Sequence, residues 1–296
     1  MNQETPLAID LYCGLGGWAE GLLAEGWRVV GFDIEQHDYG TGGYPGQLVI
    51  QDVLTLHGSQ FKDASLIVAS PPCQEYSYMA MPWSRSKQIS KALRGHGDFP
   101  AGYVGSRTIE ELNALFDACF RIQREANEAV ECKCSHERGL HYVNKKSDLL
   151  GCAFCPCAEF DGPYIPLIVE NVRGAQKWVG HSVWNFGSYH LWGDVPALMP
   201  IALPRCGRKL PEGHDTFART GKPCNKFTDA PYGSEGIKQA GISGIRNNGK
   251  GARWFQDGAA RHGSKSNSRK AASAMIAKIP FPLAKHIAQT FKELGT

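Results

Sequence analysis

The sequence lacks any long hydrophobic run, and this absence argues against a membrane protein. No stretch of about 18 apolar residues occurs, so no membrane-spanning helix is predicted. Residues 1–12 also lack the layout of a signal peptide. Hydrophobic residues make up 42% of the 296 residues and charged residues 21%, which is typical of a globular protein. We therefore expect a cytoplasmic protein without membrane contact, and a monomer by default.

A strong overall charge is also absent, because the formal net charge is only +3. The charge is unevenly distributed. Residues 205–270 contain fourteen lysines and arginines against five acidic residues, a net charge of +9, which leaves −6 for the rest of the chain. A local cationic segment on an acidic protein is typical of a surface that binds a polyanion. A solvated loop is the alternative interpretation.

The ten cysteines are not expected to form disulfides, because the cytosol is reducing. Five of them share residues 132–157 with two histidines. Zinc takes four such ligands in tetrahedral geometry, and the spacing of Cys152 and Cys155 is typical of a zinc knuckle. The pattern predicts a zinc site, but it determines neither which four residues bind nor whether one or two ions are held. The candidate ligands are Cys132, Cys134, His136, His141, Cys152, Cys155 and Cys157.

Short apolar runs alternate with amphipathic segments along the first two thirds of the chain. The runs predict buried strands at 7–11, 28–33, 48–50, 66–69 and 167–170. Helices are predicted at 18–25, 109–130 and 278–288, and a long loop at 75–105. Strands that alternate with helices predict a parallel, doubly wound α/β sheet. Ligands of such sheets bind beyond the carboxyl ends of the strands.

A glycine-rich turn, Gly14-Leu-Gly16-Gly17, follows the first predicted strand. Glycines allow a tight turn and let a ligand approach the next helix N-terminus. The turn lacks the G-x-G-x-x-G dinucleotide fingerprint and the Walker lysine. Asp33 can accept hydrogen bonds from ribose hydroxyls, and Asp52 from an adenine amino group. These residues predict a nucleoside cofactor without pyrophosphate, such as S-adenosylmethionine. A purely structural turn is the alternative.

Cys73 follows two prolines at the end of a predicted strand. Pro71 and Pro72 would make the turn rigid, and a helix beginning there would lower the pKa of the thiol. A polar, cationic segment follows directly. A buried and inert cysteine is the alternative, and it is the interpretation we give to Cys13 and Cys119. Cys73 is therefore the candidate nucleophile.

Glu170 ends another predicted strand, in the sequence Glu170-Asn171-Val172. A carboxyl group in a low-dielectric crevice has its pKa raised toward neutrality and can donate a proton or a hydrogen bond to a ring nitrogen. A pyrimidine becomes reactive at C5 when a thiolate adds to C6 and an acid stabilises charge at N3. Cys73 and Glu170 together therefore predict covalent chemistry on a pyrimidine.

Four short motifs occur in order along the chain. They are Asp10-Leu-Tyr-Cys-Gly-Leu-Gly-Gly17, Pro71-Pro-Cys-Gln74, Glu170-Asn-Val172 and Ile279-Pro-Phe-Pro-Leu-Ala284. This order resembles the DNA cytosine-5 methyltransferase family, in particular its compact bacteriophage members, over residues 5–80, 165–195 and 268–292. The resemblance implies a Rossmann-like fold that binds S-adenosylmethionine. It also implies that the enzyme flips cytosine out of double-stranded DNA in a bacterial host cell and methylates C5.

The resemblance also implies roles for individual residues. Cys73 would attack C6, Glu170 would protonate or hydrogen-bond N3, and Gln74, Asn171 and Arg173 would contact the substrate. The cofactor contacts that it implies are Leu11, Tyr12, Gly14, Gly16, Gly17, Asp33, Ile34, Asp52, Val53 and Pro72. The family usually has an arginine-containing element where this chain reads 186–193, which contains no arginine. Arg173 and Arg205 are therefore the candidates for contact with the base oxygen O2.

These predictions divide the chain into three functional parts. The catalytic domain comprises 1–131, 161–199 and 269–296, with a zinc-binding insertion at 132–160 and a small basic target-recognition region at 200–268. The zinc would be structural, since the resembled family transfers methyl groups without metal. Three other functions remain open: an RNA cytosine methyltransferase of the kind that acts on transfer RNA, an enzyme that modifies free nucleotides, and a non-catalytic zinc-containing DNA-binding protein.

Overall fold

The structure is a computed structural model. It describes residues 5–38, 42–73, 76, 83–92, 96–97, 109–131, 135–137, 141–143, 150–152, 162–199, 270, 274 and 277–294. The predicted recognition region at 200–268 lies outside the described residues. So do several residues that the sequence assigns to a site, namely Gln74, Cys132, Cys134, Cys155, Cys157 and Arg205.

A seven-stranded mixed sheet forms the centre of the protein. The strands of the chain are β1 (Leu7–Leu11), β2 (Arg28–Asp33), β3 (Gln47–Ile50), β4 (Leu66–Ala69), β5 (His141–Val143), β6 (Leu150–Cys152), β7 (Leu167–Val172), β8 (Trp184–Phe186) and β9 (Tyr189–Gly193). The sheet has the order β3-β2-β1-β4-β7-β9-β8, while β5 and β6 form a separate two-stranded sheet within the predicted insertion. The first five strands in this order run parallel, and β9 is antiparallel to both of its neighbours.

Helices cover both faces of the sheet, which gives the doubly wound arrangement that the sequence predicts. They are α1 (Gly17–Ala24), α2 (Trp83–Ala92), α3 (Ile109–Glu128), α4 (Gln176–Val179) and α5 (Phe281–Leu294). Because side chains alternate along a strand, Ile9 and Leu11 pack on the face covered by α3, whereas Ala8 packs on the face covered by α1 and α5. A mostly parallel sheet of this order with helices on both faces is a Rossmann-like arrangement. Among the helices in the described part of the chain, none is both long and apolar enough to cross a membrane.

The structure differs from the sequence-based prediction in several elements. β7 continues to Val172, because its last two residues stay paired with β9. The segment predicted as a long loop contains α2, and the hairpin formed by β8 and β9 was not predicted. The C-terminal helix begins at Phe281 rather than Lys278. Pro280 lies before its first turn and accepts hydrogen bonds from the Leu283 and Ala284 backbone NH groups.

Helices α1 and α5 pack closely enough that only glycine fits at their contact. A Cβ atom built on Gly21 would lie 2.5 Å from the Ala284 backbone, and one on Gly17 would lie 2.5 Å from the Ile279 nitrogen. An ion pair of 2.6 Å between Lys278 and Glu20 lies beside this contact. The C-terminal helix therefore completes the core on this face, and Gly17 serves this packing whether or not it also approaches a ligand.

Replacing Gly21 with alanine is expected to destabilise the protein by about 1–2 kcal/mol, although alanine normally favours a helix by about 1 kcal/mol. The added methyl group would force the two helices apart. Urea unfolding followed by circular dichroism measures the change. The matched control is Ala24→Gly, at an exposed position of the same helix, which reports the backbone contribution without the contact. A Gly21→Ala protein as stable as the parent would contradict the close packing.

Candidate functional site

The carboxyl ends of the parallel strands meet along one edge of the sheet. Leu11 of β1 is level with Phe32 of β2 and with Ala69 of β4, and Ala69 is in turn level with Val169 of β7. The residues that follow these positions therefore form a continuous row. The row contains most of the residues that the sequence assigns to the site, in the spatial order Asp52, Asp33, Ile34, Tyr12, Gly14, Pro72, Cys73, Glu170 and Asn171.

The two candidate catalytic residues, Cys73 and Glu170, lie on neighbouring strand ends. The register of β4 and β7, continued by two residues, sets Pro71 beside Asn171, and the Asn171 side-chain NH₂ donates a 3.0 Å hydrogen bond to the Pro71 carbonyl. Cys73 is half-buried two residues farther along the chain. Glu170 is 3% exposed. The fold thus brings Cys73 and Glu170 to the same edge.

The turn that begins at Cys73 is held from two sides. The Tyr76 NH donates a 3.0 Å hydrogen bond to the Cys73 carbonyl, and the Tyr76 hydroxyl donates a 2.9 Å bond to Asn113 on α3. On the other side, Gly174 lies so close to the Tyr76 carbonyl that a side chain at position 174 would collide with it. The first described helix after Cys73 is α2, which begins at Trp83. Residues 74–75 and 77–82 lie outside the described residues, so a helix N-terminus that lowers the pKa of the Cys73 thiol stays a prediction.

Buried side chains surround Glu170. Its cross-strand partner on β9 is Leu191, which is fully buried. Tyr189, also on β9, donates a 3.1 Å hydrogen bond to the Lys278 carbonyl. Burial raises the pKa of the Tyr189 phenol, and the nearby charge of Glu170 raises it further. The Glu170 carboxyl therefore lies in the low-dielectric surroundings that the sequence predicts.

Asp33 links the end of β2 to the glycine-rich turn after β1. Its Oδ2 accepts a 2.9 Å hydrogen bond from the Gly14 NH, and its Oδ1 accepts a 2.8 Å bond from the Ile34 NH. Burial raises the pKa of this carboxyl, but hydrogen bonds from His37 and Gly14 outweigh burial, so the pKa lies below its ordinary value. Asp33 is consequently an ionised acceptor at the sheet edge.

The glycines of the turn have different surroundings. Gly14 and Gly16 both have positive φ angles, +49° and +72°, which favour glycine. A Cβ atom on Gly16 would collide with Pro45, whereas one on Gly14 would meet no atom of the described residues within 4 Å. Tyr12 also has a positive φ, 57°, and its hydroxyl donates a 2.8 Å hydrogen bond to the Leu115 carbonyl of α3. Open space for a ligand therefore lies at Gly14, next to Asp33.

The residues assigned to an adenine ring are not equally accessible. Ile34 is 69% exposed at the edge. Asp52 begins a short 3-10 helix, Val53–Thr55, and accepts a 2.9 Å hydrogen bond from the Leu54 NH. Val53 is buried in the core together with Leu11. Val53 and Leu11 can therefore offer a ligand only their backbone, whereas Ile34 can offer its side chain.

Asp10, which the sequence-based prediction gave no role, is a fully buried carboxyl beneath the glycine turn. Its Oδ2 accepts a 3.1 Å hydrogen bond from Tyr44, and within the described residues its Oδ1 has no hydrogen-bond partner. Burial raises the pKa of Asp10 to about 8, the Tyr44 hydrogen bond opposes this, and the charge of Asp33 adds to it. The carboxyl is therefore protonated at neutral pH. An aspartate in the middle of an apolar strand was the available signal.

His190 is a second residue that the sequence-based prediction did not identify. It lies on β9 directly opposite Asn171, is 8% exposed, and its Nδ1 is 2.9 Å from the Ser182 hydroxyl oxygen. It belongs to the stretch compared with the arginine-containing element, and the unpredicted hairpin brings it to the same edge. Arg173, the sequence-based candidate for this contact, is exposed in the 3-10 turn directly after β7.

The candidate metal ligands are only partly described. The β5–β6 register places residues 141 and 152 opposite each other, and His136 lies in the short stretch 135–137. Within the part of the chain that the structure describes, no group of three or more His, Cys, Asp or Glu residues could hold a metal ion. Cys132, Cys134, Cys155 and Cys157 lie outside that part.

Comparisons with known proteins give weak similarities. No protein-family model and no curated protein matches the chain. Among solved structures, it is similar to a protein described as a DNA modification methyltransferase encoded within a prophage (E. coli), with 18% identity and a TM-score of 0.31 over 60% of this chain and 35% of that one. The Entamoeba histolytica methyltransferase EhMeth has 12% identity and a TM-score of 0.29 over 60% of this chain and 41% of that one.

The S. pombe Dnmt2 methyltransferase has 12% identity and a TM-score of 0.37, over 99% of this chain and 100% of that one. By contrast, the chain spans 35% and 41% of the length of the first two proteins. At such low TM-scores, none of these similarities supports a conclusion about the function of this chain.

Replacing Asp10 with asparagine is expected to remove a loss of stability that the parent protein undergoes as the pH rises toward about 8. The pKa of Asp10 is raised from 3.8 to about 8 in the folded protein. Between these values the folded state holds a proton that the unfolded state has lost, so the free energy of unfolding falls as pH rises and levels off above a pH of about 8. Thermal melting between pH values of about 5 and 9 measures this.

The exposed Asp63→Asn variant is the control for loss of one carboxyl group. Its pH dependence should follow that of the parent protein, whereas the Asp10→Asn curve should be flatter across the same range. Parallel curves for the parent and Asp10→Asn would show that the buried carboxyl does not titrate as described.

Proposed function

We propose that this protein transfers a methyl group from S-adenosylmethionine to C5 of cytosine in double-stranded DNA, through a covalent bond between Cys73 and C6. The observation that carries the proposal is the placement of Cys73 and Glu170 on adjacent strand ends, joined across the gap by the bond from Asn171 to the Pro71 carbonyl. Two strands beyond β4 along the same edge, Asp33 offers an ionised acceptor.

The residues at the glycine turn fit S-adenosylmethionine. Gly14 faces open space that a side chain would fill, and Asp33 lies beside it as an acceptor for ribose hydroxyls. Ile34 exposes an apolar surface for the adenine, and Asp52 has a carboxylate oxygen besides the one that caps its 3-10 helix. The turn has no Walker lysine, which suits a cofactor without phosphate. When bound, S-adenosylmethionine supplies an electrophilic methyl group on a positively charged sulfur.

The side chains of Cys73 and Glu170 divide the chemistry on the base. The Cys73 thiolate forms a bond to C6, which breaks the double bond between C5 and C6 and makes C5 nucleophilic. Glu170 donates a proton or a hydrogen bond to N3 and so stabilises the charge that develops on the ring. After C5 has accepted the methyl group, its proton leaves to solvent. The bond between sulfur and C6 then breaks and restores the double bond.

Double-stranded DNA is the substrate that the charge distribution favours. Residues 205–270 carry a net charge of +9, which suits a surface that neutralises phosphates and releases counterions. A free nucleotide would not need such a segment. The target base has to leave the stack to reach Cys73, at a cost of a few kcal/mol that contacts in the pocket offset. Structured RNA carries the same phosphates and remains an outcome that the experiment distinguishes.

The Cys/His segment at 132–157 is proposed to hold structural zinc. The β5–β6 register sets His141 opposite Cys152, so two of the seven candidate positions are brought together by a hairpin. Short hairpins that present cysteines and histidines are typical of small structural zinc sites. The site would stabilise the insertion and take no part in methyl transfer.

The experiment that tests the function compares three substrates: duplex DNA, a folded transfer RNA and free dCMP. The purified protein is incubated with each substrate and with S-adenosylmethionine carrying a tritiated methyl group. Incorporation into DNA is expected, and bisulfite sequencing should place it at C5 of cytosine. Incorporation only into RNA or only into dCMP would overturn the DNA assignment, and incorporation into none would overturn the proposed function.

Cys73→Ser and Glu170→Gln are expected to lower methyl transfer by at least about a thousandfold and about a hundredfold, respectively, because they remove the nucleophile and the acid. Cys119→Ser, at a buried cysteine of α3, is the control and should keep the parent rate. Duplex DNA containing 5-fluorocytosine should trap the parent protein covalently, since fluorine cannot leave C5 as a proton does. A trapped complex with Cys73→Ser, or full activity of that variant, would refute the assigned nucleophile.

Metal analysis of the purified protein should find about one or two zinc ions per chain. Cys152→Ser is expected to lower the zinc content and the melting temperature together, because metal binding contributes to folding. Cys13→Ser, at a buried cysteine of the glycine turn, should leave the zinc content unchanged. A parent protein without bound metal would exclude the site.

A further inference from the structure

The acceptor positions of the Asp33 carboxylate are largely filled. Its Oδ2 accepts a hydrogen bond from the Gly14 NH at 2.9 Å. Its Oδ1 accepts from the Ile34 NH at 2.8 Å and from the Glu35 NH at 3.5 Å, and it lies 3.4 Å from His37 Nε2. A carboxylate offers about four acceptor sites in total. A ribose diol that donates hydrogen bonds to both oxygens must therefore displace one of these four donors.

Only one of the four donors can leave without unfolding the edge. The NH groups of Gly14, Ile34 and Glu35 belong to the backbone that connects the strands to their loops. The imidazole of His37, by contrast, belongs to a side chain. Its 3.4 Å contact with Oδ1 is longer than the hydrogen bonds from Gly14 and Ile34. Release of His37 is therefore the way to open Oδ1 for a ligand.

We propose that His37 sets the affinity for the cofactor through Asp33, because its imidazole has to leave Oδ1 before the ribose diol can bind both oxygens. The inference rests on the proposed use of S-adenosylmethionine, and it adds a positioning residue to that site. His37 touches neither the methyl group nor the base in this account. It competes with the ribose for one carboxylate.

The charged groups around His37 determine which form of the imidazole competes. The hydrogen bond with Asp33 raises the pKa of His37 above its ordinary value of 6.5, partial burial opposes this, and Glu35 raises the pKa further. Lys270, from the chain before α5, lowers it. The Glu35 carboxylate lies 3.8 Å from the other ring nitrogen and is 56% exposed, so it offers the released imidazolium a solvated partner.

The direction of the pH dependence follows from this pairing. In the free protein, Asp33 stabilises the protonated form of His37. A ligand that takes the place of His37 on Asp33 removes this stabilisation and lowers the pKa of His37. Binding therefore releases a proton where the pH lies between the pKa of the bound state and the pKa of the free state. Affinity is therefore expected to rise with pH through the pKa of the free state and to level off above it. Asp33 stays ionised throughout, because its own pKa is lowered.

Isothermal titration with S-adenosylhomocysteine, the demethylated cofactor, tests this without relying on activity. For the parent protein, affinity should increase about three- to tenfold between pH values of about 6 and 8.5. His37→Ala should bind more tightly than the parent at the lower pH and show no such increase, and His37→Gln, which cannot titrate, should also lose the increase. His57→Gln, which removes another histidine paired with a glutamate, is the matched control and should behave like the parent.

Proton release measured on the parent protein provides a readout that needs no variant. Titrations at the lower pH in two buffers of different ionisation enthalpy should show a fraction of a proton released for each ligand bound. Measurable binding that is independent of pH, with no proton release, would overturn the role of His37 while leaving the cofactor assignment intact. No binding by any variant at any pH would overturn the proposed cofactor itself.

Discussion

The hydrogen-bonded register of the central parallel strands is the constraint on which the candidate site depends. β1 pairs with β2 on one side and with β4 on the other, and β4 pairs with β7, so all of their carboxyl ends reach one edge together. A shift of β7 by one residue would turn Glu170 to the opposite face and separate Asn171 from the Pro71 carbonyl. The apolar side chains on both faces prevent that shift, because every residue of β4 is buried. Chemistry at the edge thus depends on packing in the core.

Polar groups buried at this edge are held by specific partners rather than by solvent. Asn171 is fully buried and bonded to the turn before Cys73, and Asp33 accepts from the backbone of two different loops. Burying such groups without partners would cost about 1–3 kcal/mol each. Asp10 differs from these two residues, since one of its oxygens has no partner within the described residues and burial raises its pKa to about 8. The edge therefore combines rigid acceptors with one carboxyl that is neutral at physiological pH.

Much of the fold could be predicted from the sequence. The apolar runs identified β1, β2, β3, β4 and β7 to within two residues at their ends. The same method missed β8 and β9, because the stretch from Trp184 to Gly193 mixes aromatic, polar and glycine residues without a regular period. It also missed α2, because the sequence Trp83–Ala92 is mostly polar and has few apolar residues to mark a buried face. His190 and its contact with Ser182 were missed for the same reason, since only the hairpin brings them to the edge.

By itself, the sequence determined which residue types follow each strand: the glycine turn, Asp33, Cys73 and Glu170 are local features of chain order and apolar pattern. Only the tertiary structure decided which of these features are neighbours and which side chains are accessible. It showed that Gly14 faces open space while Gly17 packs on Ile279, that Val53 is buried while Ile34 is exposed, and that His37 lies against Asp33. The physical reason is that the apolar pattern of a segment reports only whether that segment prefers to be buried. The distance between two side chains, by contrast, depends on strand register and helix packing across residues far apart in the chain.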